Sequence, residues 1–128
     1  MEKIVLIDGM RTPFMRAGTT YMDTMSYELG QFAIKGILTK TGIDPAIVDQ
    51  VILGTVISNL KTSNVAREAA LSGGLQETTP CHTVTMACIS ANRAISTAVA
   101  EMLAGQYEVA IAGGVDCTSD TPITFRKA

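Results

Sequence analysis

The 128-residue sequence has no tryptophan, one histidine and three cysteines, and only 5% of it is aromatic. Charge is scarce and balanced, with 12 acidic and 10 basic side chains and a formal net charge of -2. A nucleic-acid partner needs a basic field to neutralise phosphates, and none is present. High hydrophobicity with little net charge excludes intrinsic disorder. Cys81, Cys88 and Cys117 are odd in number and form no CxxC pair. They suit neither a disulfide scaffold nor a four-ligand zinc site. No metal site is therefore expected, and reduced thiols in the cytoplasm are. The start, MEKIVLIDGM, lacks the apolar stretch of a signal peptide and the Arg/Ser-rich character of a transit peptide. No apolar run approaches the roughly 20 residues of a membrane span.

The hydropathy pattern is that of alternating strands and helices. Residues 3–9, KIVLIDG, predict a short buried strand, and 10–23 a surface loop. From Thr24 the period becomes helical, with Met25, Leu29, Phe32, Ala33 and Ile37 on one face. Gly42 is placed to end that helix, and Asp44-Pro45 to start a single turn. Residues 48–57 are β-branched and apolar and predict a strand buried on both faces, interrupted by Gly54. Asn64 can cap the Ala-rich helix that Gly73-Gly74 end, with Glu68 near its positive end. Residues 82–87 predict a strand, 89–104 a long helix capped by Gly105, and 107–115 a last strand. This order implies an α/β fold: a layered, mostly parallel sheet with helices on both faces. Chemistry in such sheets sits at the carboxyl ends of strands, here the loops after residues 9, 57, 87 and 115.

Cys88 occupies one of these positions. It ends the strand TVTMA and opens the helix ISANRAISTAVAEMLAG, where peptide dipoles and unpaired N–H groups favour a thiolate. Small residues, Ala91, Ala94, Ser96, Ala98 and Ala100, keep the helix thin enough for a crowded interior. Cys81 and Cys117 lack such placement and read as structural thiols. His82 lies six residues before Cys88 on an extended strand, roughly 20 Å away at 3.3 Å per residue. A base must come within about 3 Å of the proton it takes, so His82 is a poor partner. Gly113-Gly114 is not a dinucleotide fingerprint, the methionines read as gap-fillers, and Arg11, Arg16 and Lys61 read as solvated loop charges.

TVTMACISANRA at 83–94 resembles the nucleophile segment of thiolases. RTPF at 11–14, VILGTVI at 51–57, SNVAREAAL at 63–71 and AGGVDCTSDTP at 112–122 are similar to further thiolase segments, in the family's order. The Cys-Ile-Ser-Ala-Asn form resembles degradative 3-ketoacyl-CoA thiolases of the trifunctional β-subunit type more than biosynthetic acetyl-CoA acetyltransferases. The resemblance implies an acyltransferase of lipid metabolism and fatty-acid oxidation, with coenzyme A and acyl-CoA as substrates and no bound cofactor. It implies that Cys88 is the acyl-thioester nucleophile, with its backbone N–H in an oxyanion hole, a donor worth about 3 kcal/mol. The cofactor-binding residues are not identified. The family's Asn-Glu-Ala, Gly-His-Pro and Cys-x-Gly segments do not occur among these residues. Residues 1–128 are therefore expected to be the first part of a thiolase N-terminal domain, without loop domain or C-terminal domain. Such a chain is expected to be inactive alone and to form a homo-oligomer or associate with a complementing chain. A non-catalytic module and another condensing enzyme, such as a ketoacyl synthase, are the alternatives.

Overall fold

The structure, a computed structural model, describes residues 3–127. Its elements are helix α1 (Ser26–Thr41), a 3-10 turn (Pro45–Ile47), strand β1 (Gln50–Gly54), helix α2 (Val65–Gly73), strand β2 (Cys81–Val84), helix α3 (Ser90–Leu103) and strand β3 (Ala110–Gly114). The three strands form one parallel sheet in the order β2-β1-β3. Every residue of β1 is buried. As the two-residue period of a strand requires, alternate side chains enter opposite layers. Val51 and Leu53 join Ile34 of α1 and Val65, Ala66, Ala69 and Ala70 of α2 in the larger core. Ile52 faces the other way and packs with Ala94 and Ala98 of α3. The result is a three-layer α/β/α arrangement, as the alternating pattern implies. No helix among the described residues is long and apolar enough to cross a membrane.

Local chemistry sets the helix ends. α1 stops at Gly42, which takes a left-handed φ of 66°. Asp44 caps the following turn through the Ala46 N–H, with Pro45 at its first position. Asn64 caps α2 by accepting from the Arg67 N–H (3.2 Å), and Gly74 ends it with φ 103°. The same Asn64 side chain accepts from the Thr83 hydroxyl (2.8 Å) and donates to the Cys81 carbonyl (3.0 Å), so the cap also ties α2 to β2. α3 closes in a Schellman arrangement: Gly105 N–H donates to Met102, and Gln106 N–H to Glu101. Its C-cap is Ala104, with Gly105 one residue later at φ 75°.

Three expectations are corrected. Residues 3–9 form no strand, and Val5, Leu6 and Ile7 are 71–81% exposed. Among the described residues no strand offers their backbone a partner, and an unpaired extended segment buries too little to close a ladder. The segment instead follows α1, held by an Asp8–Lys40 ion pair (2.6 Å) and by Met10 against Gly36. The ion pair draws the Asp8 carboxyl below its usual range. Second, the buried stripe of α1 is rotated from the expected one. Leu29, Gly30 and Ile34 are buried while Phe32 is exposed. The cause is Gly30, whose missing side chain lets α2 approach; a Cβ there would stand 2.9 Å from that of Ala69. Third, Met10, Met15, Met22 and Met86 are exposed rather than filling gaps in the core.

The strands are also shorter than expected: β1 and β3 are trimmed at both ends, and β2 stops at Val84. Gly54 closes β1 at the carboxyl end of the sheet, and the reason is steric. A Cβ on Gly54 would lie 2.3 Å from the Ser90 carbonyl carbon and 2.4 Å from its oxygen. A Cβ on Gly114 would lie 2.7 Å from that of Ala91. Two adjacent glycines on neighbouring strands thus seat the first turn of α3 directly on sheet backbone. We expect Gly54→Ala to destabilise the chain by at least about 2 kcal/mol in urea unfolding, since backbone rather than a flexible side chain must yield. Gly113→Ala, whose Cβ would meet only Leu53 at 3.7 Å, serves as the tolerated control. Asn64→Ala is expected to cost about 1–3 kcal/mol in the same measurement, through loss of both cap and tie.

Candidate active site

The loops after β1, β2 and β3 meet at the carboxyl end of the sheet, where an open parallel sheet places ligands. Backbone bonds join them: Thr55 N–H donates to Val84 (3.1 Å) and Val115 N–H to Gly54 (2.9 Å). Asp116 completes the junction. Its carboxylate accepts from the Thr55 hydroxyl (2.9 Å) and from the N–H groups of Val56 and Ile57 (2.9–3.1 Å). One carboxylate thereby organises the loop that leaves β1. Asp116 and Ser90 are the site-building residues that sequence reasoning misses. A Ser two residues after Cys88 in a helix-start pattern is the only sequence signal for the latter.

Cys88 stands on this surface, in the tight passage from β2 to α3. Its thiol is free and the residue is exposed. The helix begins later than expected: Ile89 is the N-cap and Ser90 the first helical residue, so Cys88 precedes the cap. The intervening turn is compact, with Ile89 N–H donating to Met86 (3.3 Å) and Ser90 N–H to Ala87 (3.1 Å). Ala87 has φ 48°, the only non-glycine residue described in the left-handed region. For a residue with a Cβ this costs roughly 1–2 kcal/mol, and such strain persists only where surrounding bonds enforce it. They are supplied by Ser90, whose Oγ accepts from the Met86 N–H (2.8 Å) and donates to the Ala87 carbonyl (2.6 Å). Strand, strained turn and helix together hold the exposed Cys88 at this end of the sheet, with the left-handed residue, Ala87, one position before the cysteine.

The other two thiols are placed differently. Cys117 is buried, with its thiol 3.6 Å from the Tyr21 carbonyl. Cys81 is half-buried at the start of β2, and burial pushes its thiol above the ordinary range despite the nearby Arg67 guanidinium. His82 sits at the opposite end of the sheet from Cys88. Its Nδ1 lies 2.9 Å from the Gln50 side-chain amide nitrogen, within hydrogen-bond distance. Gln50 opens β1, whereas the loop carrying Cys88 lies beyond the end of β2. His82 and Cys88 are not brought together, as the spacing argument requires. Among the described residues no group of three or more His, Cys, Asp and Glu side chains gathers as a metal centre would.

Two cavities open near the loops. One of about 220 Å³ lies between the loops after β1 and β2, lined largely by hydroxyls, among them Thr55, Ser58, Thr62, Thr83 and Thr85. The other, about 250 Å³, lies between residues 10–15 and the loop after β3, and includes Arg11, Tyr21 and Cys117. The Arg11 guanidinium lies 4.9 Å over the Phe14 ring, an intramolecular cation–π contact. Cys88 lies outside both cavities.

Residues 4–128 match the family model described as the thiolase N-terminal domain. The chain is 52% identical over 127 residues to the bovine (Bos taurus) mitochondrial trifunctional enzyme subunit beta, and 46% identical to a probable 3-ketoacyl-CoA thiolase of Caenorhabditis elegans. Each alignment covers 99% of this chain but only 27% and 28% of the relative. The crystal structure of the Bacillus anthracis acetyl-CoA acetyltransferase superposes with a TM-score of 0.83 at 32% identity, over 87% of this chain and 28% of that one. The strand-turn-helix that carries Cys88 thus lies within the matched region, and this chain belongs to the thiolase family.

Proposed function

We propose that this chain carries the acyl-accepting nucleophile of a 3-ketoacyl-CoA thiolase. The observation that supports the reading most directly is the exposed Cys88 thiol, raised on a strained turn at the carboxyl end of the sheet in a thiolase N-terminal domain. In the reaction, a base takes the Cys88 proton and the sulfur attacks the 3-keto carbon of a 3-ketoacyl-CoA. The carbon–carbon bond then breaks. Its electron pair leaves on the acetyl-CoA carbanion, which takes a proton, and the shortened acyl group stays on Cys88 as a thioester. The thiolate of free CoA takes that acyl group and restores Cys88. Division of one difficult step into two through a covalent intermediate is nucleophilic catalysis. The degradative direction is supported by the Cys-Ile-Ser-Ala-Asn segment and by the trifunctional-subunit relatives. Acetyl-CoA synthesis by the reverse route is the alternative.

Residues 1–128 supply the nucleophile and not the base, because their one histidine is bonded to Gln50 at the other end of the sheet. Association with a complementing chain or a second copy is supported by side chains left to solvent: Leu6, Phe14, Leu60 and Phe125 are each more than 80% exposed. Among the described residues, β2 and β3 are each bonded on one edge only, which leaves two strand edges for pairing. Three free thiols support a reducing compartment such as the cytoplasm.

Incubated with acetyl-CoA, the chain is expected to gain one acetyl group on the Cys88 peptide, read by mass spectrometry, and Cys88→Ser to gain none. Labelling spread evenly over the three cysteines would sink the reading. Cleavage of acetoacetyl-CoA by the chain alone should stay below detection; turnover that disappears in Cys88→Ser would show that the base is present after all. Iodoacetamide should modify Cys88 first at neutral pH. Cys81 should follow only at higher pH, because its raised pKa keeps the thiol protonated through the ordinary thiol range.

A further inference from the structure

We propose that Ser90 and Ala87 are positioning residues for Cys88: the Ser90 hydroxyl holds Ala87 in its left-handed conformation and so fixes the direction of the Cys88 thiol and N–H. The inference rests on the reading of Cys88 as the acyl acceptor and adds the residues that aim it.

Ser90 is 4% exposed, and its hydroxyl bonds within the turn. It accepts from the N–H of Met86 and donates to the carbonyl of Ala87, two residues that bracket one peptide unit. That unit leads directly into Cys88. With both of its outer polar groups bound to one oxygen, Ala87 is kept at φ 48° and does not relax to the right-handed region that its Cβ prefers. The oxygen in turn has a rigid base. The Ser90 backbone rests on Gly54, and Ala91 rests on Gly114, so neither β1 nor β3 leaves the helix start room to shift toward the sheet. Force therefore passes from sheet backbone through Ser90 into the turn. Cys88 itself is exposed and lies outside the core. An acyl-accepting sulfur must meet a carbonyl along a narrow approach, and preorganisation of this kind lowers a barrier without touching substrate.

Two measurements on the purified chain test this. The first is the rate of Cys88 acetylation by acetyl-CoA set against its rate with iodoacetamide, a small reagent that makes little demand on direction. Ser90→Ala should slow acetylation about tenfold, the scale of one lost hydrogen-bonded lock, while alkylation changes less than about twofold. Ala87→Gly in the same background should recover most of the loss, since glycine enters the left-handed region without steric cost. Ala87→Val keeps the buried hydroxyl and alters only an exposed position. It should reproduce the loss even if Ser90→Ala fails to fold, because a β-branched residue is rejected at that φ. The second measurement is the NMR order parameter of the Cys88 amide. It should fall from a rigid value of about 0.85 toward 0.6 in Ser90→Ala or Ala87→Val, with the α3 amides unchanged. Wild-type chain that is not acetylated at Cys88 refutes the nucleophile reading, while the order parameter still decides whether the lock exists. Acetylation with unchanged rates and unchanged order parameters in the variants overturns the positioning role alone.

Discussion

The contact on which the rest of the molecule depends is backbone against backbone, where Gly54 of β1 meets the Ser90 carbonyl of α3. A parallel sheet and a helix ordinarily stand apart by the length of two side chains. Here the separation collapses at one point, because no side chain intervenes at Gly54 or Gly114 and only a methyl group at Ala91. The first turn of α3 is thereby placed over the carboxyl ends of β1 and β3, and the turn before it must cross the mouth of the sheet. Cys88 is exposed at that mouth because the helix start beneath it is held so low.

Polar bonds reinforce the same end of the molecule. Asp116 draws in three donors of the loop after β1, and the chain leaving β1 and the chain leaving β3 each bond to a neighbouring strand's last carbonyl. The opposite end is held by Asp49, whose carboxylate accepts from Glu108 and Val109, and by the Gln50–His82 bond. The lone imidazole is thus committed to the structural end of the sheet. Its separation from Cys88 follows from parallel topology: residues early in every strand share one end, and those after every strand share the other.

Periodicity and end signals were sufficient for most elements. The three helices and three sheet strands stand within a few residues of their expected places, with Gly42, Asp44, Asn64 and Gly74 acting as the end residues that their chemistry suggests. The misses have physical causes. Residues 3–9 carry a strand pattern, but hydropathy does not reveal whether a partner edge is present. Phe32 fits the helical stripe, but which arc of α1 turns inward is decided by the close approach of α2 at Gly30, a contact 39 residues away in sequence. The turn at 85–89 reads as the end of a strand, because a left-handed alanine leaves no trace in composition.

The alternation of elements, the caps that end them, the candidacy of Cys88 as a thiol at a strand-to-helix junction, and the family with its ordered segments are all written in the linear order of residues. These are properties of neighbours along the chain, and short-range chemistry encodes them. The position of Cys88 before the helix cap, the left-handed Ala87, the Ser90 bonds around it and the loop gathered by Asp116 emerge from folding. Each of these arises where distant residues are pressed together. The Gly54–Ser90 approach exists only once β1 and α3 are packed, so no local pattern can announce it.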